Sequence, residues 1–143
     1  MKIFYKTRAT AVGGRSGHTQ LDDGSLGFDL VSFQEKDKQG TNPEQLFAMG
    51  YAACFDSALQ HVAQNMGLNV QSKCSCEVGI GQNPDGAFAL DIDLYAEVVG
   101  ISAEQAKTLI EKTHQVCPYS NAIRGNVDVR LHVSVVQMEQ FDL

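Results

Sequence analysis

Hydrophobic and polar positions change their period several times along the chain, and each change marks a new element. Alternating β-branched and aromatic residues at positions 3–12 predict a first strand, which the glycines at 13–14 end. A turn at residues 22–24 leads to a short second strand over residues 27–32, and the polar residues 36–40 predict a loop. The first part of the chain is therefore predicted to be β-structure and loop.

A long, mostly apolar helix is predicted next. Residues 41–44 carry two overlapping start signals, a capping box between Thr41 and Glu44 and an asparagine cap followed by proline at the first helical position. The apolar pattern continues to about Met66, and Gly67 ends the helix. Only a thin polar stripe interrupts it, so the helix is buried on most sides, either as the central helix of the fold or under a second subunit.

The second half of the chain changes repeatedly between strand and helix patterns. Strands over residues 70–80 and 87–99 are joined by a hairpin turn at 83–86, and the second strand has one apolar and one polar face. A capping box at residues 102–105 opens a helix, which must end near Cys117 because a proline follows. These patterns predict a hairpin followed by an amphipathic helix.

A short helical stretch over residues 118–124 and a last alternating strand over 126–136 complete the chain. The order β-β-α-β-β-α-β, with antiparallel hairpins, predicts the α+β class rather than a wound parallel sheet. No repeat, low-complexity segment or linker interrupts the sequence. We therefore expect one domain over residues 1–143.

Composition narrows the classes of function. The 143 residues are 43% hydrophobic and 20% charged, which is ordinary for a globular protein, and the net charge of −6 argues against binding to nucleic acid or an anionic membrane. Charges interrupt the N-terminus, so no signal peptide is expected, and no apolar stretch approaches the roughly 20 residues needed to span a bilayer. A soluble cytoplasmic protein is expected, in which cysteines serve as metal ligands, redox groups or core residues rather than as a disulfide framework.

Two cysteines lie in settings that favour redox chemistry. Cys54 lies inside the apolar helix, where burial raises the thiol pKa, so a reactive Cys54 needs a cation from elsewhere; otherwise it is an inert core cysteine. Cys117 precedes Pro118 at a helix break, where free N–H groups favour a thiolate and the thiol has room to move, unless it merely ends a helix. If the fold brings the two thiols together, the chain is a redox enzyme.

Arg15 is the best candidate for the missing cation, and Glu44 for its partner. Arg15 lies in a loop of glycines and small residues, and its planar fork can hold a thiolate and a carboxylate at once, although a solvated loop arginine would look the same. Glu44 and Cys54 would be about 15 Å and roughly 80° apart on one helix. Either Arg15 bridges them, or a second chain supplies one member of the trio.

Two further cysteines suggest an alternative. Cys74 and Cys76 alternate on one strand and so face the same side, and packing or incidental thiols explain them. Their spacing is not that of a zinc knuckle, yet a zinc site built from Cys74, Cys76, His114 and Cys117 remains open. The residues alone are compatible with packing thiols and with a zinc site.

Three segments closely resemble the organic hydroperoxide resistance (Ohr) proteins of the Ohr/OsmC family. They are residues 41–48 (TNPEQLFA), 50–55 (GYAACF) and 114–126 (HQVCPYSNAIRGN), and the resemblance extends over essentially the whole chain, including Gly14 and Arg15. Tyr119 and the context of Tyr51 look like the Ohr branch rather than the OsmC branch. Cys74 and Cys76 depart from the family pattern.

The resemblance implies a fold and a mechanism. The fold would be an α+β, OsmC-like one, with antiparallel sheets packed around a long central helix in an intertwined homodimer that has two sites at its interface. Cys54 would be the peroxidatic and Cys117 the resolving cysteine, joined as an intramolecular disulfide during turnover, with Arg15 and Glu44 supporting Cys54. Organic hydroperoxides would be reduced to alcohols, and dihydrolipoamide or a lipoylated protein would be the reductant, with no metal or bound cofactor.

The aromatic residues near the two cysteines are candidates for a pocket that prefers organic to hydrogen peroxide. These candidates are Phe47, Tyr51, Phe55 and Tyr119. Two alternatives remain at this point, an OsmC-type peroxidase with broader substrates and a non-catalytic module that binds zinc or senses redox state. A peroxidase assay with metal analysis distinguishes the three.

Overall fold

The computed structural model describes residues 1–141, in which six strands form two three-stranded sheets. The strands are β1 (Ala9–Val12), β2 (His18–Leu21), β3 (Gly27–Asp29), β4 (Gln71–Gln82), β5 (Phe88–Val99) and β6 (Val129–Val135). The helices are α1 (Pro43–Asn65), α2 (Ala103–Val116) and α3 (Pro118–Ile123), with 3₁₀ turns at Gly14–Ser16 and Met138–Gln140. No helix in this part of the chain has the length and apolar character needed to cross a membrane.

Residues 1–46 form one compact unit, and the chain from Phe47 onwards forms another. The expectation of a single domain over residues 1–143 therefore stays a prediction. The first unit holds an antiparallel meander, in which β1 pairs with β2 and β2 with β3. The predicted turn at residues 22–24 joins β2 to β3, and Gly24 adopts the left-handed φ of +78° that this turn requires.

The first strand is shorter than predicted. It begins at Ala9 rather than at residue 3, because its partner β2 ends at Leu21, opposite Ala9, where the chain turns away. The strand β2 itself was not predicted, since its four residues show no clear alternation. The predicted strand over 27–32 also ends early, at Asp29, after which Leu30 pairs with Thr41 in an isolated bridge.

The start of α1 decides between the two predicted caps. The Asn42 Oδ1 atom accepts a hydrogen bond of 2.8 Å from the backbone N–H of Gln45, so Asn42 is the cap and Pro43 the first helical residue. Glu44 is therefore not needed as the acid of a capping box. The helix ends at Asn65, and Gly67 follows with a φ of +71°.

The second unit is built on the sheet β4-β5-β6. The hairpin of β4 and β5 forms as predicted around the turn at residues 83–86, but β6 runs parallel to β5. The α+β class is confirmed, and the expectation of antiparallel sheets is wrong for this one strand. The connection permits this direction: α2 and α3 lie between β5 and β6 in sequence, and they are long enough to return the chain to the starting end of β5.

One apolar core holds the second unit together. One face of the sheet packs against α1 and α2, and α1 contributes six buried residues to it. The predicted capping box of α2 is present, because the Ser102 hydroxyl accepts from the Gln105 N–H and the Gln105 side chain accepts from the Ser102 N–H. Cys74 and Cys76 pack against this core from the same face of β4, as their spacing predicts.

Candidate active site

Arg15 and Glu44 form a two-pronged ion pair. The Arg15 Nη1 and Nη2 atoms donate to the two Glu44 carboxylate oxygens at 2.7 and 2.5 Å. The loop that carries Arg15 depends on Gly17, because a Cβ atom there would lie 1.8 Å from the Val12 carbonyl oxygen. The sequence pattern of glycines around Arg15 therefore reflects a tight backbone approach that fixes where the arginine begins.

The pair is electrostatically well defined. The hydrogen bonds from Arg15 hold the pKa of Glu44 below its usual value, and those to Glu44 raise the pKa of Arg15. Both side chains are therefore charged at neutral pH. Two of the N–H donors of the guanidinium are used by the carboxylate, so others are left for a second anion.

Cys54 and Cys117 are brought together by the fold. Cys54 lies in the middle of α1 and is half-buried, while Cys117 is fully buried at the break between α2 and α3. Their Sγ atoms are 3.9 Å apart. A disulfide has an S–S distance of about 2.05 Å, so the pair is reduced, and a closing movement of roughly 2 Å would join it.

The surroundings of Cys54 oppose ionisation overall. Burial raises the pKa of the Cys54 thiol, and the neighbouring Cys117 raises it further, whereas a hydrogen bond from the Tyr119 backbone lowers it. The helix break predicted that free N–H groups at the start of α3 would favour a thiolate at Cys117. One of them, the N–H of Tyr119, is directed at the Cys54 sulfur instead. A thiolate at neutral pH still needs a nearby cation, as the sequence predicted.

The four predicted aromatic residues form a continuous set of ring contacts. Centroid distances are 5.9 Å for Phe47–Tyr51, 6.1 Å for Phe47–Tyr119, 5.6 Å for Tyr51–Tyr119 and 6.3 Å for Tyr51–Phe55. Tyr51 and Phe55 are fully buried, whereas Phe47 and Tyr119 line an almost entirely apolar surface groove. Phe47 and Tyr119 are thus the outer rings of the set, and Tyr51 and Phe55 are the buried rings behind them.

A glycine on α1 allows Tyr119 to lie against the helix. A Cβ atom at Gly50 would lie 2.8 Å from the Tyr119 hydroxyl oxygen and 3.4 Å from two ring carbons. The glycine four residues before Cys54 thus leaves room for the Tyr119 ring.

Comparisons with known proteins agree on one family. Residues 35–132 match the family model described as OsmC-like protein. The organic hydroperoxide resistance protein OhrB of Bacillus subtilis is 42% identical over 91% of this chain and 98% of the relative, and the organic hydroperoxide resistance protein of Xanthomonas axonopodis pv. citri is 46% identical over 91% and 94%. This chain belongs to the Ohr/OsmC family.

Solved structures of the family share the fold. An organic hydroperoxide resistance protein from Elizabethkingia anophelis superposes with a TM-score of 0.89 at 46% identity, covering 95% of this chain and all of the other. The B. subtilis OhrB structure gives a TM-score of 0.86, covering 91% and 98%. The resemblance inferred from three segments of sequence is confirmed, and so is the OsmC-like fold.

Ser120 was not among the predicted site residues. Its hydroxyl lies between the Tyr51 hydroxyl, at 2.7 Å, and the His114 Nδ1 atom, at 2.8 Å, and the residue is fully buried. From the sequence, His114 was considered only as one of four possible zinc ligands. No local pattern marks Ser120, because the two partners of its hydroxyl, Tyr51 and His114, lie on other helices.

The two additional cysteines are not poised for reaction. Burial raises the pKa of the Cys74 thiol, which also has a hydrogen bond to Asp56, and burial raises the pKa of Cys76 to about 11. Both remain thiols at neutral pH. Within residues 1–141, no three His, Cys, Asp or Glu side chains are grouped so as to hold one metal ion, so the four residues considered for zinc do not form such a group.

The predicted catalytic residues thus occur as two pairs. Arg15 and Glu44 belong to the unit of residues 1–46, and Cys54 and Cys117 to the unit that begins at Phe47. The catalytic roles of these four residues stay predictions.

Proposed function

We propose that this protein is a thiol-dependent peroxidase that reduces organic hydroperoxides to alcohols. The observation that carries the proposal is the Cys54–Cys117 pair, two reduced thiols 3.9 Å apart with the Tyr119 N–H directed at the more exposed one. Membership of a family whose relatives are named for organic hydroperoxide resistance supports a peroxidase-type enzyme. We place the reaction in the cytoplasm, where the thiols are kept reduced.

In the first step, the Cys54 thiolate attacks the outer oxygen of ROOH. The O–O bond breaks, the sulfur is oxidised to a sulfenic acid, and the alkoxide takes up a proton and leaves as ROH. Cys54 is the attacking group because it is the partly exposed thiol of the pair, whereas Cys117 is fully buried. The Tyr119 N–H stabilises the thiolate before the attack.

Arg15 supplies the positive charge that Cys54 lacks. Its guanidinium stabilises the thiolate and polarises the O–O bond, while Glu44 holds it in place through the two-pronged pair. The site is completed in an intertwined homodimer, as the resemblance implies. Because Glu44 raises the pKa of Arg15 and Arg15 lowers the pKa of Glu44, the guanidinium keeps its positive charge and does not titrate during turnover.

In the second step, Cys117 condenses with the sulfenic acid. The S–O bond breaks, an intramolecular disulfide forms, and one water leaves, which protects Cys54 from further oxidation. A dihydrolipoyl dithiol then exchanges with the disulfide, which restores both thiols and converts the reductant to its cyclic disulfide. Two electrons pass from the dithiol to the peroxide, and the balance requires no metal or bound cofactor.

Selectivity for organic hydroperoxides comes from the apolar groove. Phe47 and Tyr119 present rings at the surface beside Pro118 and Ile123. An alkyl or aryl group gains free energy by leaving water for this surface, whereas hydrogen peroxide has nothing to bury. Tyr51 and Phe55 support the outer rings from behind.

A peroxidase assay with purified protein and dihydrolipoamide tests this function. We expect kcat/KM for cumene hydroperoxide to exceed that for hydrogen peroxide by at least about 10-fold, because burial of one aromatic group is worth about 1.5–3 kcal/mol. Consumption of both peroxides is measured at equal concentrations, and the metal content of the same preparation is determined.

Three results would contradict the proposal. Equal rates with the two peroxides would favour the broader OsmC-type peroxidase. Stoichiometric zinc without turnover would favour a metal-binding module. A single oxidation that dihydrolipoamide does not reverse would favour a redox sensor.

A further inference from the structure

A buried hydrogen-bond network joins the three helices that carry the cysteines. The Ser120 hydroxyl on α3 lies 2.7 Å from the Tyr51 hydroxyl on α1 and 2.8 Å from the His114 Nδ1 atom on α2. Each member lies one helical turn from a cysteine: Tyr51 precedes Cys54 by three residues, and His114 and Ser120 flank Cys117 at the same spacing. We call these three residues the Ser120 latch.

The helix α3 depends on such contacts for its position. It has only six residues, and a helix of that length is not stable by its own hydrogen bonds. A second connection follows its C-terminal end, where the Arg124 guanidinium donates to the His114 carbonyl oxygen and, at 2.5 Å, to Asn121 Oδ1. The latch fixes the beginning of α3, and Arg124 fixes its end, both against α2.

The latch is uncharged. Burial raises the pKa of the Tyr51 phenol to about 12, and burial together with Arg124 lowers the pKa of His114, so the phenol stays protonated and the imidazole neutral. A serine hydroxyl can donate one hydrogen bond and accept others, which matches its two neighbours. Removal of one side chain would leave a buried polar group without a hydrogen-bond partner, which costs free energy. The three side chains therefore favour the helix positions in which all of their hydrogen bonds are made.

We propose that Tyr51, Ser120 and His114 are positioning residues for the resolving step, holding the start of α3 so that the Cys117 sulfur stays beside Cys54. This inference rests on the proposed function. The two sulfurs are already in contact at 3.9 Å, and bond formation needs a further approach of about 2 Å. A sulfur displaced by about 1 Å can react some 100-fold more slowly.

The latch acts mainly on the second step. Attack on the peroxide uses the Cys54 sulfur and Arg15. The position of that sulfur is set by the long helix α1. The Tyr119 N–H moves with α3, so the first step changes too, but it loses only part of one hydrogen bond to the thiolate. Resolution, in contrast, requires Cys117 itself, which lies at the hinge between α2 and α3.

Tyr51→Phe tests the latch, because it removes one hydroxyl and keeps the ring. We expect the disulfide to form about 10-fold more slowly after one equivalent of cumene hydroperoxide, while the first step slows by less than about 3-fold. Rapid quenching with an alkylating reagent, followed by mass spectrometry, gives thiol, sulfenic acid and disulfide at each time. Tyr95→Phe, on the exposed outer face of β5, is the matched control and should match the wild type.

His114 offers a rescue experiment. His114→Asn keeps a polar atom close to the position of Nδ1, whereas His114→Leu removes it. We expect the asparagine variant to resolve faster than the leucine variant, and over-oxidation of Cys54 at high peroxide concentration to rank in the reverse order. A role confined to packing would not separate these two variants in that way.

The outcomes separate this inference from the proposed function. If the wild type forms the Cys54–Cys117 disulfide but Tyr51→Phe resolves at the wild-type rate, the latch is overturned and the peroxidase remains. If the wild type forms no such disulfide, both are overturned. Thermal unfolding of each variant identifies any loss of folding. Tyr51→Phe is the mildest of the changes, so its rate of disulfide formation decides whether the latch is retained.

Discussion

Cys54→Ser is expected to reduce turnover of organic hydroperoxide by at least about 1,000-fold, to the rate without protein. A serine hydroxyl is not ionised at neutral pH and cannot form a sulfenic acid, so no oxidised product exists for Cys117 to resolve. Cys54 is half-buried beside Cys117, and the substitution changes one atom, so the loss would reflect chemistry rather than folding. Turnover is measured by consumption of cumene hydroperoxide with dihydrolipoamide.

Cys76→Ser is the matched control. Cys76 packs against the same core, and its pKa of about 11 leaves it a thiol at neutral pH. We expect its turnover to equal that of the wild type. Full activity in Cys54→Ser, or loss of activity only in Cys76→Ser, would show that the wrong cysteine has been assigned.

Arg15→Ala is expected to slow the attack on peroxide by about 100-fold at neutral pH, the usual cost of removing one group that stabilises developing charge. Burial and Cys117 raise the pKa of Cys54, and the arginine offsets that effect in the proposed site. Without it, less of the thiol is ionised and the O–O bond is less polarised. The rate constant for loss of the Cys54 thiol with limiting hydroperoxide measures this step alone.

The pH dependence gives the sign of the effect. The thiolate is the reactive form, so the rate rises with pH through the pKa of Cys54. Removal of Arg15 raises that pKa, and the profile of Arg15→Ala therefore moves to higher pH, with part of the lost rate recovered in alkaline solution. Arg8→Ala is the control, because Arg8 is exposed and forms a surface ion pair with Asp22. Equal effects of the two substitutions would remove Arg15 from its role.

Local signals in the sequence were sufficient for most of the second unit. The turn at residues 83–86, the capping box at Ser102 and the proline after Cys117 each act through neighbouring residues, and each forms as predicted. The direction of β6 relative to β5 could not be predicted from such local signals. It follows from the path of α2 and α3 across the sheet, which alternation within a strand does not encode.

The first unit was harder to predict because its strands depend on partners. Residues 3–8 alternate as a strand does, yet pairing with β2 begins only at Ala9. Ile3, Phe4 and Tyr5 are exposed in the single chain, at 52%, 90% and 80%. Alternation therefore indicated a preference for extended structure, and the available partner set its length.

In the candidate site, too, local signals could be predicted from the sequence and contacts between distant residues could not. Cys54 and Cys117 could be singled out by their settings, but their contact at 3.9 Å comes from the packing of α1 against α2 and α3. Glu44 had two competing roles in the sequence, and the Asn42 cap released it to bind Arg15. Ser120 was missed because a serine in a short helix carries no signal until Tyr51 and His114 are placed beside it.

The product of a single oxidation tests the proposed mechanism most directly. The reduced protein is treated with one equivalent of cumene hydroperoxide, the remaining thiols are alkylated, and disulfide-linked peptides are identified by mass spectrometry. We predict one Cys54–Cys117 disulfide per chain, one equivalent of cumyl alcohol, and alkylated Cys74 and Cys76. A disulfide that includes Cys74 or Cys76, or alcohol formation without oxidation of Cys54, would contradict the account.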